Sequence, residues 1–166
     1  MLKEKTIAIR VEDIWRELGT IADPEIPVLS LVDLHIVRDI EVTDGRVKVR
    51  ITPTFLGCPA LDYMKNEIRE KLKLMGFAEI QIEQQLSPPW STDLLSVESK
   101  EKLRKYGIAP PEARAAMMAG LLPKVVPCPF CESTDTRMES PFGPTLCRQM
   151  HYCEHCKQSF DRFKTL

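Results

Sequence analysis

"IVRDIEVTDGRVKVRI" (Ile36–Ile51), running straight into "TPTFLGCPA" (Thr52–Ala60), decides the fold. Ile36, Ile40 and Val42 alternate with Arg38 and Glu41, and Val47, Val49 and Ile51 alternate with Lys48 and Arg50. Period-two alternation marks strands that bury one face. Asp44-Gly45 between the two runs is a hairpin signal, so the strands pair. Downstream, Leu61, Met64, Ile68, Leu72 and Met75 recur at helical spacing and close at Gly76, and Ile80 and Ile82 give a short third strand. Upstream, Val11, Ile14, Trp15, Leu18 and Ile21 form one apolar helical face over 11–21. "DPEIP" (Asp23–Pro27) ends that helix, because its two prolines cannot continue it. The expected fold class is α+β: a small sheet packed with helices, in the order helix–hairpin–helix–strand.

Beyond the third strand, "LSPPWSTDLLS" (Leu86–Ser96) reads as a proline-rich loop and Ser99–Tyr106 as a helix. "GIAPPEARAAMMAGLLPKVVP" (Gly107–Pro127) is a connector. Its Ala/Met/Leu run either docks a short helix on a partner or is an ordered linker. This divides the chain into an α+β domain over 1–106, a linker over 107–126 and a cysteine-rich domain over 127–166. The 166 residues are 43% hydrophobic and 28% charged, enough for one real core plus a small appendage. A net charge of -1 and a pI near 6.3 argue against a polyanion-binding surface or a cationic membrane patch. The opening "MLKEKTIAIRVEDIW" lacks the apolar core of a signal peptide, and no apolar run approaches the roughly 20 residues that span a bilayer. The expectation is a soluble, cytoplasmic protein with neither nucleic-acid nor membrane partners.

Four of the six cysteines form two C-x-x-C pairs, Cys128/Cys131 in "CPFC" and Cys153/Cys156 in "CEHC", with 21 residues (132–152) between them. Each pair makes a knuckle that aims two thiolates at one point, and two knuckles supply a tetrahedral sulfur set for zinc or iron. In a reducing cytosol the pattern favours metal over disulfide. A zinc-ribbon-like β module follows. It has few large apolar residues, so metal binding would supply much of its folding energy. Cys147 is a fifth sulfur nearby, a candidate extra metal ligand or redox group, and His151 and His155 are bystanders beside four sufficient cysteines. The module's charges nearly balance, without the basic stripe of a nucleic-acid binder.

Cys58 stands apart from the other five. With Pro59 read as the first helical residue, Cys58 falls at or next to the helix N-cap, and Gly57 allows a tight turn that leaves the sulfur accessible. Helix-end N–H groups would favour a thiolate there and lower the thiol pKa. Thr52 and Thr54 are placed to donate hydrogen bonds to an anion. Cys58 is either such a reactive or metal-ligating thiol or a small buried cap. No histidine lies close in sequence, so a hydrolytic cysteine enzyme is poorly supported. Asp23 and Glu25, flanking Pro24, are either turn residues or carboxylates that assist a metal near Cys58.

"DPEIPVLSLVDLHIVRDIEV" with "ITPTFLGCPA" resembles the small α+β domains linked to iron–sulfur cluster assembly. His35 stands where that family often has glycine. With "SPPWSTDLLS", "LRKYGIAPP" and the tail "CPFC…FGPTLC…CEHCKQSFDRFK", the whole chain resembles the PaaD (or PaaJ) family of components of phenylacetyl-CoA epoxidase (oxygenase) complexes. Leu94, where many relatives carry tryptophan, is a peripheral departure. The resemblance implies a non-catalytic component of a multicomponent monooxygenase in aerobic phenylacetate degradation, which matures or assembles the complex by handling iron or an iron–sulfur cluster. The chain has no Glu-x-x-His pairs of a di-iron bundle and no Gly-rich dinucleotide fingerprint. By position, Cys58 is the family's reactive cysteine, with Asp23, Glu25, Thr52 and Thr54 around it. Cys128, Cys131, Cys153 and Cys156 are the expected metal set, and Cys147 is the family's extra cysteine. The implied cofactors are zinc or iron in the ribbon and a transient iron–sulfur cluster at Cys58. The implied partners are the other epoxidase subunits, the iron–sulfur reductase included, or a second copy of the chain. The alternative is a structural ribbon adaptor with no cluster role.

Overall fold

The computed structural model describes residues 9–114 and 125–166. The Ala/Met/Leu run of the connector falls mostly in 115–124, so the short docking helix expected there lies outside the described residues. In the first unit, α1 (Val11–Leu18) precedes the hairpin of β1 (Val37–Thr43) and β2 (Arg46–Ile51), followed by α2 (Leu61–Leu74) and β3 (Glu79–Gln84). β1 and β2 pair antiparallel, Val42 opposite Val47 and Ile40 opposite Val49. Asp44 and Gly45 turn at φ 49° and 77°, the doubly left-handed turn whose twist matches paired strands. β3 lies parallel to β2, Ile80 opposite Val47, so α2 is the crossover between them. The sheet buries Ile40, Val47, Val49 and Ile51 against Ile14 and Leu18 of α1 and Met64, Ile68 and Leu72 of α2. The helical faces read from the sequence are the faces that are buried. The opposite face of the sheet carries the ion pairs Arg46–Glu79, Lys48–Glu83 and Arg50–Glu41, solvated contacts that add little to stability.

Helix α1 stops at Leu18 rather than at Ile21. Ile21 is still buried, but its carbonyl accepts the Leu31 N–H at 2.9 Å, and Ala22 bridges to Ser30. That pairing pulls the chain out of the helix before the prolines are reached. His35 sits at φ 51°, a backbone region that favours glycine. It is held between Val32 O, which accepts its N–H at 2.9 Å, and the Ile36 N–H bond to Leu31 O, also 2.9 Å.

α3 (Val97–Lys105) starts two residues earlier than expected because the Ser96 hydroxyl caps it, accepting the Ser99 N–H. β4 (Ile108–Ala109), β5 (Thr136–Ser140), β6 (Arg148–Cys153) and β7 (Ser159–Phe163) form a second sheet in the order β4-β7-β6-β5. Ile108 and Ala109, inside the stretch read as connector, thus already belong to the ribbon sheet, parallel to β7.

The ribbon is packed onto the first unit. Phe163 is fully buried in the main core, its ring 5.9 Å from that of Trp90. The Trp90 indole N–H donates to Leu34 O at 2.6 Å. Leu166 O accepts from the Thr92 N–H at 3.2 Å and the Ser91 hydroxyl at 3.1 Å. The ribbon's own core is small: Ala109, Val126, Phe160 and the buried Cys128 and Cys153. Among the described residues, no helix is long and apolar enough to cross a membrane.

Candidate functional site

The two C-x-x-C segments fold in the same way. The Glu132 N–H donates to Cys128 O and the Cys128 N–H to Ser133 O, both at 2.9 Å. The Lys157 N–H to Cys153 O and the Cys153 N–H to Gln158 O repeat this at 2.9 Å. Glu132 and Lys157 both turn left-handed, at φ 60° and 58°. The knuckles face each other with sulfurs 3.7 Å apart for Cys128–Cys156 and 3.6 Å for Cys131–Cys153, and all four lie within 4.8 Å of one another. Four sulfurs at about 2.3 Å from one ion would stand roughly 3.8 Å apart, so the set fits a tetrahedral metal. Four thiolates this close also need a cation. Burial pushes Cys153 up, but the N–H groups of Cys156 and His155 and the neighbouring sulfurs bring it down to about 7. Burial and the three other sulfurs push Cys156 up to about 12. A bound ion would tie the knuckles together and hold the small ribbon core closed. His155 is exposed, and His151 is buried against Phe160 with its Nε2 2.8 Å from the Gln149 amide. Neither joins the four.

Cys58 is not at the helix cap. The N-cap of α2 is Ala60, so Pro59 precedes the helix instead of opening it. Cys58 lies in the preceding turn, its N–H bonded to Phe55 O at 3.2 Å and its carbonyl accepting the Leu61 N–H at 3.2 Å. Gly57 makes that turn possible at φ 82°. The thiol moves in the direction opposite to that expected from the sequence. Burial pushes Cys58 up, the N–H groups of Ala60 and Leu61 oppose this, and Glu25 and Asp23 add to the rise. Desolvation and two carboxylates outweigh the helix end.

Those carboxylates come from the turn after α1. Asp23 is buried, and its Oδ1 accepts the N–H groups of Glu25 and Ile26, both at 2.8 Å. This shapes the turn and presents Glu25. Burial pushes Asp23 up against those two bonds; burial and then Asp23 push Glu25 up, with Arg148 opposing. Thr54 lines the same cavity as Cys58 and Glu25. Thr52 does not: it is buried beside the sheet, its hydroxyl oxygen without a hydrogen-bond partner among the described residues.

Cys147 is the main departure from the sequence reading. It was expected near the ribbon's metal set, yet the four-sulfur group closes without it. Cys147 is buried in the main core and lines the Cys58 cavity, together with Leu146. Its sulfur lies 3.2 Å from the Thr145 hydroxyl and its carbonyl accepts the Lys164 N–H at 2.8 Å. Burial pushes its thiol up, the Thr145 hydroxyl opposes, and Glu25 adds to the rise. Phe55 and Leu146, both exposed, frame the mouth. The Phe55-Leu56 pair in a Thr/Gly/Pro loop is the one sequence signal of that rim; nothing in the spacing links residue 147 to residue 58.

Residues 11–83 match the family described as "Iron-sulfur cluster assembly protein", and residues 114–164 match "PaaD zinc beta ribbon domain". The chain is 40% identical over 158 residues to an Escherichia coli (strain K12) protein named as the D component of a "Putative 1,2-phenylacetyl-CoA epoxidase", covering 95% of this chain and 94% of that one. It is 37% identical over 94 residues to an "Fe-S protein maturation auxiliary factor" of Porphyromonas gingivalis, covering 55% of this chain and 89% of the relative. A conserved hypothetical protein from Thermotoga maritima superposes with a TM-score of 0.50 at 31% identity, covering 57% of this chain and 94% of that one. A DUF59 domain from Bacillus anthracis shares the fold, with a TM-score of 0.52 at 24% identity over 55% of this chain and 89% of its own. With one relative aligned almost end to end and both parts of the chain matched, the chain belongs to the PaaD family of phenylacetyl-CoA epoxidase components, an iron–sulfur cluster assembly domain carrying a zinc β-ribbon.

Proposed function

We propose that the chain is a non-catalytic accessory component of the phenylacetyl-CoA epoxidase system in aerobic phenylacetate degradation. It matures or assembles the complex by handling iron or an iron–sulfur cluster at Cys58. The observation that carries this reading is the convergence of Cys58 with Glu25 and Thr54 on one cavity, in a domain of the iron–sulfur assembly family. Relatives named as iron–sulfur maturation factors support it. Among the described residues no histidine lines that cavity, so no thiol–imidazole pair supports a nucleophilic enzyme there.

In this reading Cys58 is the cargo ligand, Asp23 positions Glu25 and Thr54 lines the approach, while Thr52 stays buried beside the sheet. The domain over 1–106 does the handling, and the ribbon over 127–166, joined through 107–126, holds zinc or iron as a structural cross-link. The partners are the other epoxidase subunits, the iron–sulfur reductase among them, or a second copy of the chain, in the cytoplasm. A structural adaptor is the second reading, favoured by the exposed Phe142 and Met138 of the ribbon. Cys58→Ser in cells separates the two. Loss of epoxidase activity with unchanged protein level and ribbon metal is expected. Full activity in Cys58→Ser, with association of the complex lost in Cys128→Ser, would establish the adaptor instead.

A further inference from the structure

We propose that the cavity between α1, the turn leading into β1 and the single turn Thr92–Leu94 binds a small monocarboxylate with a flat apolar body, an aryl or arylalkyl acid. It shares no lining residue with the Cys58 cavity and does not depend on the function proposed above. Trp15, Val32, Val37 and Leu94 make its apolar walls, and His35 and Arg38 stand beside them around a space of ≈ 370 Å³. Small-ligand sites span roughly 300–1,000 Å³ and are mostly apolar, with a few polar groups that fix orientation.

Two irregularities of the backbone supply the polar pair. β1 and β2 lose register between Val37 and Asp39: Val37 faces Ile51 and Asp39 faces Arg50, so Arg38 has no residue opposite it. An extra residue of this kind re-aims a side chain. It lets Val37 stay in the core and Asp39 join the charged face of the sheet, and it gives Arg38 to the cavity. His35 sits at φ 51°. Glycine would hold that angle with less strain, and a side chain retained there points to a use for the side chain.

The charge on this cavity is uncommitted. Among the described residues the side chains of Arg38 and His35 have neither a salt bridge nor a hydrogen bond, and no carboxylate lines the space. Asp33 and Asp39, the acids that flank the pair in sequence, are bonded to Lys102 and Arg50. A free guanidinium takes a carboxylate through two parallel hydrogen bonds. The half-buried Trp15 and Leu94 offer apolar surface to the ring behind it. A phosphate dianion would bring more charge than one guanidinium answers, against a lining that is otherwise apolar.

The walls are held from outside the cavity. Leu34 O, next to His35, accepts the Trp90 indole N–H at 2.6 Å, and the Leu94 N–H donates to Ser91 O at 3.1 Å. The space is therefore formed before a ligand arrives, and little ordering of the protein opposes binding.

The test titrates the full chain, with zinc in the ribbon, with phenylacetate as the probe. Binding is followed by calorimetry and by the NMR signals of the two tryptophan indole N–H groups. Saturable one-to-one binding at or below about 1 mM is expected, with the Trp15 signal shifting more than that of Trp90. Acetate, the charge without the body, and phenylacetamide, the body without the charge, should each bind at least about tenfold more weakly. Arg38→Gln should weaken phenylacetate binding at least about tenfold and leave the urea midpoint unchanged, because the side chain has no partner to lose. His35→Gly relieves the backbone and should weaken binding by a smaller factor. Leu94→Trp should abolish it by filling the space. Absence of saturation, equal affinity for acid and amide, an Arg38→Gln variant that titrates like the parent, or a shift confined to Trp90 overturns the site. Binding of a peptide that ends in phenylalanine, without binding of the free acid, gives the cavity to a protein's carboxyl terminus and overturns the small-acid assignment. Cys58→Ser should bind phenylacetate as the parent does, so failure here leaves the proposed function standing and the converse holds as well.

Discussion

The four-cysteine centre and the Cys58 pocket are built from the same chemistry by opposite means. The ribbon sulfurs come from two nearly identical knuckles within residues 128–156, each shaped by its own backbone hydrogen bonds. The pocket draws on the Asp23–Glu25 turn, the loop between β2 and α2, and Leu146–Cys147 of the ribbon. The first set is complete, four sulfurs with no position left over, which is the form of a structural site. The second gathers two thiols and a carboxylate on one cavity behind an exposed apolar mouth of Phe55 and Leu146. Local geometry makes the ribbon set rigid, whereas the pocket depends on the docking of two units.

The largest effect is expected from breaking the ribbon centre. Cys153→Ser removes a fully buried ligand. It should lower zinc affinity by more than the roughly 100-fold that loss of an outer-shell partner costs. Metal analysis should find an empty ribbon, and limited proteolysis should cut within 127–166 first. Intact, metal-free ribbon would show that its small core suffices and would end the contrast with the pocket.

Next comes the docking itself. Phe163→Ala empties a fully buried site beside Trp90 and should cost about 3–5 kcal/mol in urea unfolding. The sharper readout is selective: Cys147 should become alkylatable while ribbon zinc stays at one per chain. Unchanged protection of Cys147 would mean that the pocket does not depend on the ribbon's packing. Trp90→Phe is a milder version. It leaves Leu34 O without the indole donor at 2.6 Å, at a cost of about 1–3 kcal/mol.

The smallest effect is electrostatic. In the metal-free chain Asp23 and Glu25 both have folded pKa values raised by burial. Their contribution to stability is fully present below about pH 4, the ordinary carboxyl range. It is lost as pH rises through the raised values. Asp23→Asn keeps an acceptor for the Glu25 and Ile26 N–H groups and removes that titration. Relative to the parent, it should gain stability as pH rises, measured as the urea midpoint across the acid range.

What the residue pattern makes legible follows the same division. Val42 and Val47 face each other across Asp44-Gly45 as the alternation and the dipeptide require, and Met64, Ile68 and Leu72 are buried as their spacing requires. The four ribbon cysteines could be grouped from two short motifs. The end of α1 was misplaced because Ile21 continues the apolar period, and only its pairing with Leu31 takes it out of the helix. Reading Pro59 as a common first helical residue puts Cys58 two residues too close to α2, whereas here the turn closed by Phe55 O comes first.

By itself, then, the sequence determined what depends on residues a few positions apart: strand alternation, helical faces, the hairpin turn and the two knuckles. Tertiary structure alone decided that Cys147 leaves the ribbon's metal set for the Cys58 pocket, where burial pushes its thiol up, and that the Cys58 thiol moves up instead of down. A pKa follows from desolvation and from whichever charges end up nearby. A shared cavity follows from how two units dock. Neither is encoded in the spacing of the residues that compose it, because the deciding contacts join segments that only the packed core brings together.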